Sequence, residues 1–204
     1  MVMSCAEGDD LLVPENWSFT EPLEFTNFVP ELNELPSNTM TIEGTLTISP
    51  DGRLLDVMRF GKLNTAIVYE VNTDEPEAKL GFSHLMDFSA NYSKFMIKRD
   101  EKSGYYYTVG TRVYNPERTN ARDLLSLMRS KDLLSWDVVF NIIDYREVDT
   151  DHIGFQYCDF EIEGDDIIFL CRTAFGGAAN FHDTNYSTFH RIKDFRSYTE
   201  PLNN

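Results

Sequence analysis

The chain has 204 residues, 42% of them hydrophobic and 13% aromatic, enough to bury a sizeable core and too apolar for a disordered segment. Acidic side chains outnumber basic ones 34 to 18, for a formal charge of -16. That balance disfavours non-specific binding to nucleic acid or to an anionic membrane, while leaving room for an anionic small molecule in a locally basic pocket.

The opening Met1-Val-Met-Ser-Cys-Ala-Glu-Gly-Asp-Asp10 has no basic or apolar leader, so no signal peptide is expected, and it reads as a strand entered midway. No apolar run approaches the ~20 residues of a membrane helix, so no membrane insertion is expected. Extended pieces are expected around Leu11-Leu12 and over 17–20, separated by Pro14, and residues 27–38 read as a connector. Residues 39–48 are strongly β-prone and lead through Pro50-Asp51-Gly52 into a strand over 53–60, with two more over 64–71 and 78–82. The order recurs as 93–100, a Ser103-Gly104 turn, 105–113, 123–129 and 136–143. It recurs again as 153–163, a turn at Gly164, 165–173, 186–193 and 195–199. Residues 115–124 supply a single weak helical turn.

The turn glycines Gly52, Gly104 and Gly164 repeat at a spacing of about 50 to 60 residues, the period of propeller blades. Antiparallel strands with short turns exclude a parallel α/β sheet. The expected fold is all-β, a partial β-propeller forming one domain over 1–204. Blades are expected over 36–88, 92–146 and 150–200, with outer strands of a fourth in 1–28. A closed ring needs at least four blades, so the arc calls for missing blades or a homo-oligomer.

Cys5, Cys158 and Cys171 show no C-x-x-C spacing; neither a zinc site nor a disulfide framework is indicated, and the last two read as small buried hydrophobes. Ser130-Lys-Asp-Leu-Leu-Ser-Trp136 is a turn in which Asp132 accepts backbone N–H groups and Trp136 packs between sheets. It resembles the Asp-box of sialidases and their propeller relatives, shortened by one residue and lacking the usual glycine. Three further stretches are similar to parts of the same superfamily. Residues 43–59 resemble its pattern of a Glu on one inner strand and an Arg ending the next. Residues 122–132 resemble the strand opening with a further Arg, and residues 156–170 its tyrosine hairpin.

This resemblance implies a glycosidase directed at sialic-acid-like sugars of glycans. Tyr157 would be the nucleophile, Glu43 its base, and Arg59 and Arg122 clamps for the substrate carboxylate. The chemistry fits these residue types: a neutral phenol escapes repulsion by an anomeric carboxylate, and guanidinium grips a carboxylate in bidentate fashion. Arg172 stands where many sialidases place a Glu and joins the expected binding residues. The family also needs an Asp acid/base and a first arginine on N-terminal blades that this chain lacks, so the resemblance covers about the C-terminal half of an enzyme. For a full-length protein it implies a secreted or periplasmic location. An inter-strand ion pair of Glu43 with Arg59, and Tyr157 in the core, is the plain structural alternative.

The loop Phe175-Gly-Gly-Ala-Ala-Asn-Phe-His-Asp-Thr-Asn-Tyr186 resembles one in sialidase-like proteins of carbohydrate-degrading bacteria. It puts His182, Asp183 and Asn185 in a binding position, or in a turn where Asp and Asn cap backbone groups. His182 and Asp183 have no third ligand, so no metal is expected, nor any cofactor. Lys94 begins an inner strand and is expected to face the central channel. A non-catalytic carbohydrate-binding propeller, and a hydrolase or lyase for another acidic sugar such as a uronate, stand as alternative functions.

Overall fold

A computed structural model describes residues 1–23, 41–148 and 150–202. The expected connector over 27–38, and the start of the strand expected over 39–48, lie outside the described residues. Two short strands, β1 (Met3–Cys5) and β2 (Trp17–Phe19), pair antiparallel at the N-terminus. Leu11 and Leu12, expected to be extended, sit exposed in the turn between them, where Asp10 accepts the Leu12 N–H.

Two four-stranded meanders and one of three strands follow. The first is β3 (Thr41–Ile48), β4 (Leu54–Phe60), β5 (Thr65–Glu70) and β6 (Gly81–Asp87). The second is β7 (Lys98–Arg99), β8 (Tyr106–Thr111), β9 (Leu124–Ser130) and β10 (Asp137–Asp144). The third is β11 (Gly154–Glu163), β12 (Asp166–Ala174) and β13 (Tyr186–Ile192). Every ladder within them is antiparallel and joins sequence neighbours. The fold is all-β, a partial β-propeller.

Alternation along the strands makes the blades stack. Leu55 and Val57 of β4 meet Phe88, Phe95, Tyr106 and Met128 in one core cluster between the first and second sheets. Tyr107, Val109 and Leu127 meet Phe155, Phe160, Phe169 and Phe195 in another between the second and third. The Ser130–Trp136 turn behaves as its residue types require. Asp132 accepts the Leu134 and Ser135 N–H groups at 2.8 and 3.2 Å, and Trp136 packs edge-on to Phe88.

Besides Leu11-Leu12, four expected elements differ. The strand expected over 78–82 lies later, as β6, because the Asn72 side chain accepts the Asp74 and Glu75 N–H groups and holds the preceding segment in turns. The stretch 93–100 pairs only at Lys98–Arg99. Residues 115–124 form two turns, closed by Arg118 N–H to Asn115 O and Ala121 N–H to Arg118 O, before β9 begins. Residues 195–199 are no strand; a 3-10 turn over Phe195–Ser197 drives Phe195 into the core, and Arg196 binds Asp100 with two bonds of 2.6 and 2.8 Å.

Candidate functional site

The candidate residues collect at the end of the sheets opposite the hairpin turns, and the strand register explains why. Each meander opens with a hairpin, closed by Ser49 and Arg53, by Asp100 and Tyr105, and by Glu163 and Asp166. Counting back six residues from the first member of each pair reaches Glu43, Lys94 and Tyr157. Counting forward six from the second member reaches Arg59, Thr111 and Arg172. Two sheets and the segment leading into β7 thus carry a carboxylate, a phenol and an ammonium at the same count from the turn.

Two of these positions carry the same backbone device. The β3–β4 register slips between Ile42 and Gly44, and the β11–β12 register between Gln156 and Asp159. Glu43 (φ 50°) and Tyr157 (φ 55°) are the residues in left-handed conformation inside those bulges. A non-glycine side chain there costs about 1–2 kcal/mol, a strain that clusters at functional positions.

Arg59 and Arg122 converge. The Nη2 groups of both donate to the carbonyl of Tyr92, the Arg122 bond being 2.6 Å. Arg59 also donates through Nη1 to the Glu43 carboxylate and through Nε to Asn91 O at 3.4 Å. Arg122 spends Nη1 on the Thr119 and Ala121 carbonyls, and its Nε is buried with no partner among the described residues. Burial first, then the charge of Arg59, pull the Arg122 pKa down to about 10, with Tyr157 acting against them. Two guanidiniums therefore crowd one carbonyl with a single carboxylate, Glu43, on Arg59. That carboxylate is taken up by Arg59; no hydrogen bond joins it to Tyr157 among the described residues.

Lys94 begins no strand: it lies four residues before β7, because pairing starts only at Lys98, and from that irregular segment it donates to the Gly44 carbonyl. Burial lowers its pKa, against the raising influence of Glu43, Asp56 and Asp159; Arg59 lowers it further. Arg172 lies over the Tyr157 ring, 4.8 Å from its centroid; among the described residues its side-chain hydrogen bonds are 3.4 Å contacts to Thr184 Oγ1 and the His182 carbonyl, with the charge of Asp183 nearby. Gln156, fully buried, donates to the Phe181 and His182 carbonyls and ties the last loop to the bulge.

That loop is held by its own polar side chains. Asn180 accepts the His182 and Asp183 N–H groups, and Asn185 bonds both the N–H and the carbonyl of Phe175. His182 Nδ1 and Asp183 Oδ1 are 3.2 Å apart on an exposed tip, and Asn180, then His182, hold the Asp183 carboxyl below the usual range. Asn185 is therefore a loop clamp, while His182 and Asp183 remain at the solvent edge near Arg172. Among the described residues no group of three or more His, Cys, Asp or Glu side chains is placed to hold a metal ion.

Three participants escape the sequence reading. Tyr92 contributes only its carbonyl, which no motif announces. Asp159 acts on Lys94 through charge alone. Asp56, 4% exposed, presses its carboxyl against Gly44 and is pushed up to about 6 by burial, against the N-terminal charge and Lys94. An Asp between Leu55 and Val57 in a strongly apolar strand was its signal.

No protein-family model and no curated protein sequence matches the chain. Solved structures similar to it include an α-L-arabinofuranosidase from Fusarium graminearum in complex with an iminosugar inhibitor, 10% identical over 68% of this chain and 43% of that one, with a TM-score of 0.48. An α-L-arabinanase from Penicillium chrysogenum complexed with arabinobiose is 14% identical, over 68% and 44%, with a TM-score of 0.48. An exo-β-1,3-galactanase from Clostridium thermocellum is 16% identical, over 76% and 32%, with a TM-score of 0.42. The chain spans less than half the length of each. All three are described as glycan-degrading enzymes, and none of the three as a sialidase.

Proposed function

We propose that the chain is the part of a glycan-directed propeller that grips a sugar carrying a carboxylate. The observation that carries this reading is the concentration of Arg59, Lys94, Arg122 and Arg172 at one end of a chain whose overall charge is -16. Four cations, of which only Arg59 has a carboxylate hydrogen-bonded to it among the described residues, suit an anionic ligand. Arg172, with its long contacts, is the guanidinium best able to receive it. Arg122 works from behind as a positioning residue, fixing the Tyr92 carbonyl on which Arg59 leans. Tyr157 is the proposed nucleophile, and Glu43 would have to leave Arg59 to serve as its base. Release of Glu43 by a substrate carboxylate competing for Arg59 would couple binding to activation. An acid/base Asp and a further arginine would come from additional blades, in a longer form of the protein or a second copy.

The second reading is a site that binds without turnover, favoured by the Glu43–Arg59 ion pair being closed. Fluorogenic sialoside, glucuronide, arabinofuranoside and galactoside substrates, with tritium-labelled sialic and glucuronic acids for binding, separate the readings. Turnover of an acidic glycoside, abolished in Tyr157→Phe and weakened through KM in Arg172→Ala, is the expected result. Binding without turnover selects the second reading. Action on the neutral furanoside or galactoside alone, unaffected by Arg172→Ala, sinks both.

A further inference from the structure

The two cysteines of the last hairpin face each other. In β11–β12 the pairs from Glu163–Asp166 back to Asp159–Leu170 share one register, and one further step sets Cys158 opposite Cys171, leaving Tyr157 as the extra residue of the bulge. The connecting loop has two residues, with Gly164 first at φ 65°. Its closing pair is therefore of the hydrogen-bonded kind, and pairs alternate from there. Cys158 and Cys171 fall on a non-hydrogen-bonded pair, where Cα atoms stand about 4.5 Å apart and side chains lie closest. A disulfide spans Cα separations of about 4.4–6.8 Å.

The side chains agree with the register. Both residues are buried, at 3% and 2% exposure, in the same core cluster. The Cys171 thiol donates to the Gln156 carbonyl beside the bulge at 3.6 Å. Its neighbour Cys158 lowers the Cys171 pKa, while burial raises that of Cys158, so Cys171 is the sulfur that ionises first. The pair also sits directly on the site: Cys158 follows Tyr157, and Cys171 precedes Arg172.

We propose that Cys158 and Cys171 form an oxidisable dithiol, and that its closure to a disulfide locks the bulge presenting Tyr157 and Arg172. Hydrogen peroxide is the oxidant, small enough to enter a packed hairpin. The Cys171 thiolate attacks one peroxide oxygen, the O–O bond breaks, and hydroxide leaves as water, giving a sulfenic acid. The Cys158 sulfur then attacks that sulfur, the S–O bond breaks, and the departing hydroxide takes the Cys158 proton. Two thiols and one peroxide become one disulfide and two waters. The sulfurs lose two electrons and the peroxide oxygens gain them. A thiol reductant reverses the change.

The test uses the full chain, reduced and then treated with peroxide, and stands apart from any sugar chemistry. Intact mass falls by about 2 Da, and peptide mapping joins residues 158 and 171. Amide exchange at 155–158 and 170–173 slows by about tenfold or more, and dithiothreitol restores both readings. Cys158→Ser and Cys171→Ser each abolish the mass loss, while Cys5→Ser leaves it intact. A gain of about 32 or 48 Da on either cysteine, a bond to Cys5, or no mass change overturns the proposal. So does a 158–171 disulfide that leaves amide exchange unaltered.

Discussion

The hairpins β3–β4 and β11–β12 use one backbone design with opposite electrostatic results. In each, a left-handed bulge residue stands beside an arginine at the equivalent position of the next strand. In the first the bulge residue is Glu43, so its arginine is neutralised and drawn toward the Tyr92 carbonyl. In the second it is Tyr157, and the guanidinium rests on an uncharged ring. A shared geometry does not give a shared role: the first hairpin is internally satisfied, and the second keeps a cation with capacity to spare. The residue after the bulge differs as well. Gly44 makes room for the buried Asp56 carboxyl, whereas its counterpart Cys158 packs against Cys171.

That last contrast yields the largest expected effect. A Cβ at Gly44 would lie 1.9 Å from Asp56 Oδ1 and 2.8 Å from its Cγ, and the short, buried side chain has little room to yield. Gly44→Ala should cost about 3 kcal/mol in urea unfolding, the upper part of the range for overpacking. Cys158→Ala, which removes a buried atom instead of adding one, should cost roughly 1 kcal/mol. Equal losses in the two variants would erase the distinction between the hairpins.

The same carboxyl gives the first hairpin a pH dependence that the second, with Phe169 at the matching position, lacks. Asp56 is pushed up to about 6 in the fold, against about 3.9 in an unfolded chain. The folded state therefore holds the extra proton between those values. This contribution is complete below about pH 4 and is lost as pH rises through 6. Asp56→Asn should remove a decline of roughly 2–3 kcal/mol across that window. Denaturant titrations at pH 4 and pH 7 measure it. A wild-type curve whose Asp56-dependent part rises with pH would reverse the assignment.

Sequence patterning carried the blades because turn glycines and alternating apolar residues are local signals. The inter-strand ion pair of Glu43 with Arg59, the plain alternative, was legible for the same reason, since the cross-strand distance follows from the turn. Register shifts are not local. Nothing in residues 154–163 distinguishes a straight strand from one with Tyr157 bulged, because the extra residue shows only when both strands are counted against each other. Arg122 reads in sequence like Arg59, yet its Nη1 faces the Thr119 and Ala121 carbonyls, in a turn whose path tertiary packing sets. The strand expected over 195–199 fails for the same reason. Arg196 binds Asp100 across a sequence separation of 96 residues, a partner no local signal announces.

The smallest expected effects separate the two arginines. Arg59→Ala removes a side chain only 15% exposed and leaves the Tyr92 carbonyl with one donor and Glu43 with none. Loss of such charge-assisted bonds costs about 1.5–3 kcal/mol, and calorimetry should place this variant near the lower value because Glu43 can turn to solvent. Arg172→Ala gives up a cation–π contact and two long hydrogen bonds, and should cost about 0.5 kcal/mol. Binding of an acidic sugar should rank the variants in the reverse order. Arg59 exchanges one carboxylate for another, so its net gain from a ligand is small; Arg172, which has only the charge of Asp183 nearby and no hydrogen-bonded carboxylate among the described residues, gains one, and its loss removes most of the affinity. Titration of both variants with one acidic glycoside decides the matter. If Arg59→Ala proves the weaker binder and Arg172→Ala the less stable fold, the anion is held by the first hairpin and the internally satisfied description of that hairpin is wrong.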